Sequence, residues 1–442
     1  MKDKAIYDLI KKEDKRQKEG IELIPSENYA SQHVRNPLSS SFVNKYSEGY
    51  PHARYYGGNE FVDEMEIIAQ ERAKKLFYVP FVNVQPYSGS PANFAVYMAT
   101  CQPGDTIMGQ SLTAGGHLTH GFKISASGIF FNSVQYGVRN EPGGKHNDLF
   151  DYDEIRQLAK KHRPKLIWVG TSAYPLQLHY DEFAKIADEV GAYLAADISH
   201  IAGLIVGGAH PSPEKYAHII TTTTHKTLRG PRGAMIMVTK KGLAKDPELP
   251  RKINTAVFPG IQGGPHDHQT ASIAVALYEA ALPSFKAYAK SVVTNAQSLA
   301  KTLQKGGLKI VANRTETHLI LVDLTRTHGV GAGVFAEKAL DMVNLTLNKN
   351  TIPGEQGSPF YPSGIRLGTP AATTRGMGNK EMKFIGDTIL KVLDIILPYQ
   401  LPSNNKERVA YISKFVSSMK KDPQIKKLQT EVRALALRFP IP

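Results

Sequence analysis

Residues 221–233, T-T-T-T-H-K-T-L-R-G-P-R-G, restrict what this chain can become more than any other stretch. An apolar run over residues 217–220 feeds four β-branched threonines, which suit an extended strand, and Gly230, Pro231 and Gly233 then force a turn. Lys226 is therefore displayed just where a strand ends. With Arg229, Arg232 and His225 nearby, its ammonium form is destabilised, and a free amine at neutral pH is what imine formation requires. Taken alone, an H-K pair is more often a basic surface turn after an edge strand, so the remaining sequence has to decide.

The 442 residues exceed what one hydrophobic core usually serves, which implies two or three domains. No apolar stretch is long enough to span a bilayer, and the N-terminus, M-K-D-K-A-I-Y-D-L-I-K-K-E-D-K, has the pattern of a charged amphipathic helix rather than a signal peptide. A cytoplasmic location is expected. The single cysteine, Cys101, excludes an internal disulfide framework and any CxxC metal site, and no metal is expected. The formal charge of +14 would suit a nucleic-acid partner. Its lysines are spread along helices, however, with the nearest approach to a cluster over residues 406–427, so RNA is expected to be drawn at most non-specifically.

From about residue 60 to 240, short apolar strands alternate with helical patterns. Strand candidates are residues 81–84, 106–108, 129–134, 165–169, 192–196, 218–223 and 234–238, and helical patterns include 151–161 and 181–190. This alternation argues for an α/β layer on a mostly parallel central sheet with flanking helices. A Gly/Pro-rich break at 258–265 precedes a long helical stretch over 269–305, which Pro283 should kink or divide. A strand pair at 309–311 and 318–323, a helix over 334–342 and a final pair of helices then indicate a smaller α+β C-terminal domain. The expected organisation is an N-terminal helical arm (1–44), a large α/β domain (45–272) and the C-terminal domain (273–442).

Three features of the α/β part carry chemistry together. Asp197 ends the strand A-Y-L-A-A-D, at the carboxyl edge where open α/β sheets bind ligands. By itself such an Asp is usually a cap or turn residue. Ser88, Gly89 and Ser90 follow the first strand and precede a helix starting near Pro91, an arrangement that suits a phosphate and equally an ordinary serine N-cap. Lys226 lies 29 positions beyond Asp197. A phosphate cup, a strand-end carboxylate and a displayed lysine are the three handles of pyridoxal 5'-phosphate: phosphate, ring nitrogen and aldehyde.

The same residues sit within blocks that resemble serine hydroxymethyltransferases along nearly the whole chain. The blocks are S-E-N-Y (26–29), N-K-Y-S-E-G-Y-P (44–51), R-Y-Y-G-G (54–58), G-G-H-L-T-H-G (115–121), S-A-Y (172–174), the lysine segment above, V-F-P-G-I-Q-G-G-P (257–265) and S-P-F-Y-P-S-G-I-R-L-G-T-P-A (358–371). The resemblance implies a fold-type-I pyridoxal-phosphate enzyme that interconverts serine plus tetrahydrofolate with glycine plus 5,10-methylenetetrahydrofolate. A threonine-type aldolase or an aminotransferase is the nearest alternative, and the G-G-H-L-T-H-G and S-P-F blocks argue against both.

Carried over by position, the resemblance implies that Lys226 holds the cofactor as an imine and Asp197 pairs with the ring nitrogen, with His225 beside the lysine in the catalytic group. His117 would stack on the ring, and Ser172 and His200 would serve its phenolic oxygen. Gly89 and Ser90 would bind the phosphate, assisted by Gly263 and Gly264 of the other subunit of a homodimer. Arg366 would clamp the substrate carboxylate, a task for a planar fork. Ser26, Tyr46, Glu48 and Tyr56 would surround the substrate, the last three reaching in from the partner, with Glu48 exchanging protons. Leu112, Gly116, Leu118, Asn350, Ser358, Pro359 and Phe360 would line the folate site. The chain departs from the commonest family wording at Pro25, Tyr87, Pro91 and Ser199, and Tyr87 and Pro91 border the phosphate cup.

Overall fold

The computed structural model describes residues 3–442. It builds the central sheet from seven strands: β1 (Phe81–Asn83), β2 (Thr106–Gln110), β3 (Asn132–Tyr136), β4 (Leu166–Val169), β5 (Tyr193–Asp197), β6 (Ile219–Thr223) and β7 (Ala234–Val238). They lie in the order β1-β7-β6-β5-β4-β2-β3. From β6 through β3 every pairing is parallel, whereas β7 runs antiparallel to both β6 and β1. Strands covered on both faces need apolar or β-branched side chains throughout, and β4, β6 and β7 are buried at every residue. The helix Gly89–Thr100 packs Ala92, Ala95, Val96 and Tyr97 onto Ile107, Trp168, Ala195, Ile219 and Ile236 of this sheet. The register sets Asp197 opposite Thr221, so the carboxyl end of β5 meets the threonine run four residues before the H-K pair.

The chain divides into two compact units, Ala30–Lys290, which holds this sheet, and Ser291–Pro442 together with the N-terminal residues through Tyr29. The residues on either side of Tyr29, grouped as one arm by the sequence, thus fall in different units. The reason is local: Ile21–Glu22 pairs in parallel with Leu345–Thr346, and buried Arg375 donates to the carbonyls of Gly20 and Phe439. The second unit has a four-stranded antiparallel sheet ordered Lys309–Ile310, Leu319–Asp323, Gly364–Gly368, Asn348–Asn350. Its core gathers Phe335, Ile385, Phe415 and Val432 from the helices around it.

One local expectation is corrected. Residues 129–134 are not one strand: Ala126–Phe130 is helical and β3 begins at Asn132. Gly128 N donates to the Ser125 carbonyl and Gly121 N donates to Ser127 Oγ, which coils the chain before it can extend. As expected, Pro283 divides the stretch 269–305, into helices Asp267–Ala280 and Pro283–Lys305, and is itself the first residue of the second. A proline there has no amide to continue the preceding helix and costs nothing at a helix start. The expected final pair is present as Asn405–Met419 and Pro423–Leu437. Among the described residues no helix is long and apolar enough to cross a membrane.

Candidate active site

A cavity of about 210 Å³ opens at the carboxyl ends of β5 and β6, lined by residues 88–90, His117, His120, Thr171, Ser172, Asp197, Ser199, His200, Thr223, His225, Lys226 and Arg232. The helix Gly89–Thr100 starts on its wall with Ser88 as N-cap, two residues before Pro91, which falls inside the first turn. Amides at a helix start lack intrahelical acceptors and favour an anion. Gly89 is required there by space, because a Cβ would sit 2.8 Å from Thr223 Cγ2.

Asp197 is held by four donors. Asn93 Nδ2 (2.9 Å) and His120 Nε2 (3.2 Å) reach Oδ2, while Ser199 donates its amide (3.1 Å) and its hydroxyl (2.5 Å) to Oδ1. Burial raises the carboxyl pKa, but the His120 hydrogen bond and charge, with His117 and Lys226 behind, outweigh it and hold the group well below the usual carboxylate range. Asp197 is therefore an ionised, buried acceptor. His120 stacks on Trp168, centroids 5.1 Å apart. Neither His120 nor Asn93 was singled out by the sequence, although each had a signal. His120 is the second histidine of G-G-H-L-T-H-G, and Asn93 lies one turn beyond Ser90 on the same helix face.

Lys226 lies three residues past β6, and its Nζ donates to Thr223 Oγ1 at 3.2 Å. Of the cations expected beside it, His225 and Arg232 line the cavity. Arg229 does not. Its guanidinium carbon lies 4.5 Å from the ring centre of Tyr288 and 5.3 Å from that of Phe285. Its backbone is left-handed at φ +61°, a conformation that costs about 1–2 kcal/mol for a residue with a Cβ. A cation–π contact offsets roughly 0.5–2 kcal/mol. Burial, with Lys226 and Arg232 alongside, pushes His225 down to about 3, and burial with His120 pushes His117 to about 4, so both rings are neutral at pH 7. His225 Nδ1 is buried and meets no hydrogen-bond partner among the described residues.

These groups fit pyridoxal 5'-phosphate. Helix-start amides with two serines suit its phosphate, an ionised buried carboxylate suits a protonated ring nitrogen, a neutral imidazole suits its face and a primary amine suits its aldehyde. A metal fits less well. His117, His120 and Asp197 offer ligand atoms within 4.8 Å of one another, but a cation would displace the His120–Asp197 bond.

The remaining expected residues gather elsewhere. Tyr46, Glu48, Tyr56, Gly263 and Gly264 lie in the same unit, yet none of them lines this cavity. They form their own cluster. Tyr46 and Tyr56 meet edge to face at 5.3 Å, and a Cβ on Gly263 or Gly264 would come within 3.1 Å of Glu48 Oε1 or 3.3 Å of Tyr46 Cε1. Buried Arg54 sets this loop, donating to Asp63, to Glu66 and to the carbonyls of Ser47 and Gly49. Tyr87, one of the departures at the phosphate cup, donates to the Gly264 carbonyl at 2.5 Å and stacks on His266 at 4.0 Å. Leu112, Gly116 and Leu118 also belong to this unit. Leu112 lines a separate cavity of about 320 Å³, with Phe122, Lys123 and Gln135 on its wall, and Leu118 is exposed. Ser26, Asn350, Ser358, Pro359, Phe360 and Arg366 lie in the other unit. There Arg366 sits mid-strand, donates to Asn348 Oδ1 at 3.0 Å, and is pushed down by burial to about 10.

A family model described as serine hydroxymethyltransferase matches residues 1–389. A curated relative from Acidothermus cellulolyticus, named serine hydroxymethyltransferase, is 50% identical over 440 residues, which span 100% of this chain and 96% of the relative. With most of its length matched and half its residues shared, the chain belongs to the serine hydroxymethyltransferase family.

Proposed function

We propose that this protein reversibly transfers the hydroxymethyl carbon of serine to tetrahydrofolate, giving glycine and 5,10-methylenetetrahydrofolate, with pyridoxal 5'-phosphate as its cofactor. The observation that carries this reading is the convergence of Lys226, Asp197 and the helix start at residues 88–90 on one cavity. When bound, the cofactor supplies a sink for the electron pair released as the Cα–Cβ bond of serine breaks. Asp197, ionised and buried, keeps a proton on the ring nitrogen. Lys226 would hold the cofactor through its aldehyde carbon, and its amine would take up and release a proton. Neutral His117 presents a flat face, Ser172 and His200 serve the phenolic oxygen, and the amides behind Ser88 with Gly89 and Ser90 take the phosphate. Arg366 remains a cation at pH 7 even when lowered to about 10, and its fork binds the substrate carboxylate. Leu112, Gly116, Leu118, Asn350 and residues 358–360 line the folate site.

Serine cleavage should depend on tetrahydrofolate. A purified protein that binds pyridoxal phosphate but releases glycine from serine equally fast without tetrahydrofolate would be an aldolase, and the proposal would be wrong.

The protein acts as a cytoplasmic homodimer with shared sites. In support, Tyr46, Glu48, Tyr56, Gly263 and Gly264 cluster apart from the cavity of their own chain. Inactive Lys226→Ala and Glu48→Ala proteins, mixed under subunit exchange, are then expected to recover roughly a quarter of normal activity, because about half the dimers are hybrids with one intact site in two. Exchange verified by mass tagging with no return of activity would assign Glu48 to the site of its own chain.

A further inference from the structure

We propose that Arg229 is the positioning residue of Lys226, holding the turn that presents the amine through its stack on Tyr288 and Phe285. The inference rests on Lys226 as the cofactor lysine. Lys226 and Arg229 are the two ends of one turn, closed by the Arg229 amide donating to the Lys226 carbonyl at 3.1 Å. The next amide, Gly230 N, returns to the Thr224 carbonyl at 2.7 Å. The turn therefore hangs from β6 on one side and is fixed on the other by a left-handed arginine. Such a backbone persists in an L-residue only where its surroundings over-determine it.

The surroundings that do so are aromatic. Phe285 and Tyr288 are 1% and 8% exposed, so the faces beneath the guanidinium are fixed by their own packing. Tyr288 also donates its hydroxyl to the Thr227 carbonyl inside the turn, at 3.3 Å. A guanidinium suits this seat because it is planar, permanently charged and weakly hydrated, and so keeps its charge while lying flat on a ring. Losing the stack frees the turn to relax toward negative φ at position 229, which carries the Lys226 backbone with it and draws Nζ from Thr223 Oγ1. The charge of Arg229 thus acts through geometry, whereas Arg232 and His225 face the cavity itself.

The test follows capture of pyridoxal 5'-phosphate by the full-length protein stripped of cofactor. It records growth of the visible band, then borohydride reduction and mass mapping of the labelled lysine. Arg229→Met and Tyr288→Leu are each expected to slow capture at Lys226 by about tenfold, or about 1.4 kcal/mol of barrier. The double variant should be no slower than either single one, because both remove the same contact. Tyr288→Phe, which keeps the ring, should remain within about threefold, and Arg229→Lys, which keeps a cation without the flat guanidinium, should fall between it and Arg229→Met. Arg229→Gly, which removes the strain together with the stack, leaves the turn no drive toward negative φ and should be slowed less than Arg229→Met. The proposal is overturned if Arg229→Met lowers the thermal midpoint but captures cofactor at the normal rate, or if the single effects add. Should Arg229→Met fail to fold, the contrast between Tyr288→Leu and Tyr288→Phe decides in the same way. Label on another lysine in the unmodified protein would overturn the assignment of Lys226 itself, a result distinct from any of these.

Discussion

Lys226→Ala is expected to lower turnover by more than about a thousandfold, or about 4 kcal/mol of barrier, while the protein stays folded. Among the described residues lining the cavity, Lys226 alone is a lysine, and the arginine there, Arg232, cannot give up a proton near neutral pH. No second amine is placed to hold the cofactor or to release product from it. The substitution removes the hydrogen bond from Nζ to Thr223 Oγ1 and leaves the turn anchored by its backbone bonds to Thr224 and Gly233. The measurement pairs steady-state turnover with borohydride reduction, which should label the peptide carrying Lys226 in the unmodified protein and nothing in the variant. Turnover near the normal rate would sink the assignment.

The parts of this site that the sequence makes legible are those fixed within a few residues of a strand end. Asp197 closes β5, Ser88 precedes a helix start, and Lys226 follows a threonine run; each position follows from local pattern and turn chemistry. The partners of Asp197 were not legible in the same way. Asn93 comes from a helix 104 positions away and His120 from a turn 77 positions away, and only the parallel sheet brings them to one carboxylate. The direction of Arg229 was also hidden. A cation three residues from Lys226 suggests electrostatic help, but the left-handed turn sends its side chain onto Tyr288 instead. In the second unit, strands Asn348–Asn350 and Gly364–Gly368 are short and flank a Gly/Pro-rich loop, so the strand that carries Arg366 leaves little periodic trace. Similarly, residues 129–134 are apolar and aromatic enough for a strand, and only the bonds made by Gly121, Ser125, Ser127 and Gly128 turn their first part into a helix.

Asp197→Asn should keep the fold and lose about a hundredfold or more in kcat/KM, some 2.7 kcal/mol, because a neutral amide cannot hold a proton on a pyridine nitrogen. The amide is close to the carboxylate in size, so packing against β6 survives. Its donors do not match, however: Asn93 and His120 approach Oδ2 and two Ser199 groups approach Oδ1, so whichever way the new side chain turns, its NH2 faces donors. That mismatch affects stability and has to be separated from chemistry. The acid limb of the unfolding curve of the cofactor-free protein does so. Asp197 has a folded pKa well below its unfolded value of about 3.9, so the unfolded chain takes up the proton first. The carboxylate then contributes stability above about pH 4, and this is lost as pH falls toward the folded value. Asparagine lacks this dependence, so the stability gap between the two proteins should narrow on acidification while the kinetic deficit at pH 7 stays. Ser199→Ala supplies the control, since it removes one of the four hydrogen bonds and leaves the charge. It should cost less than about tenfold in kcat/KM. A loss in Asp197→Asn no larger than in Ser199→Ala would mean that packing around the carboxylate, rather than its charge, is what the reaction uses.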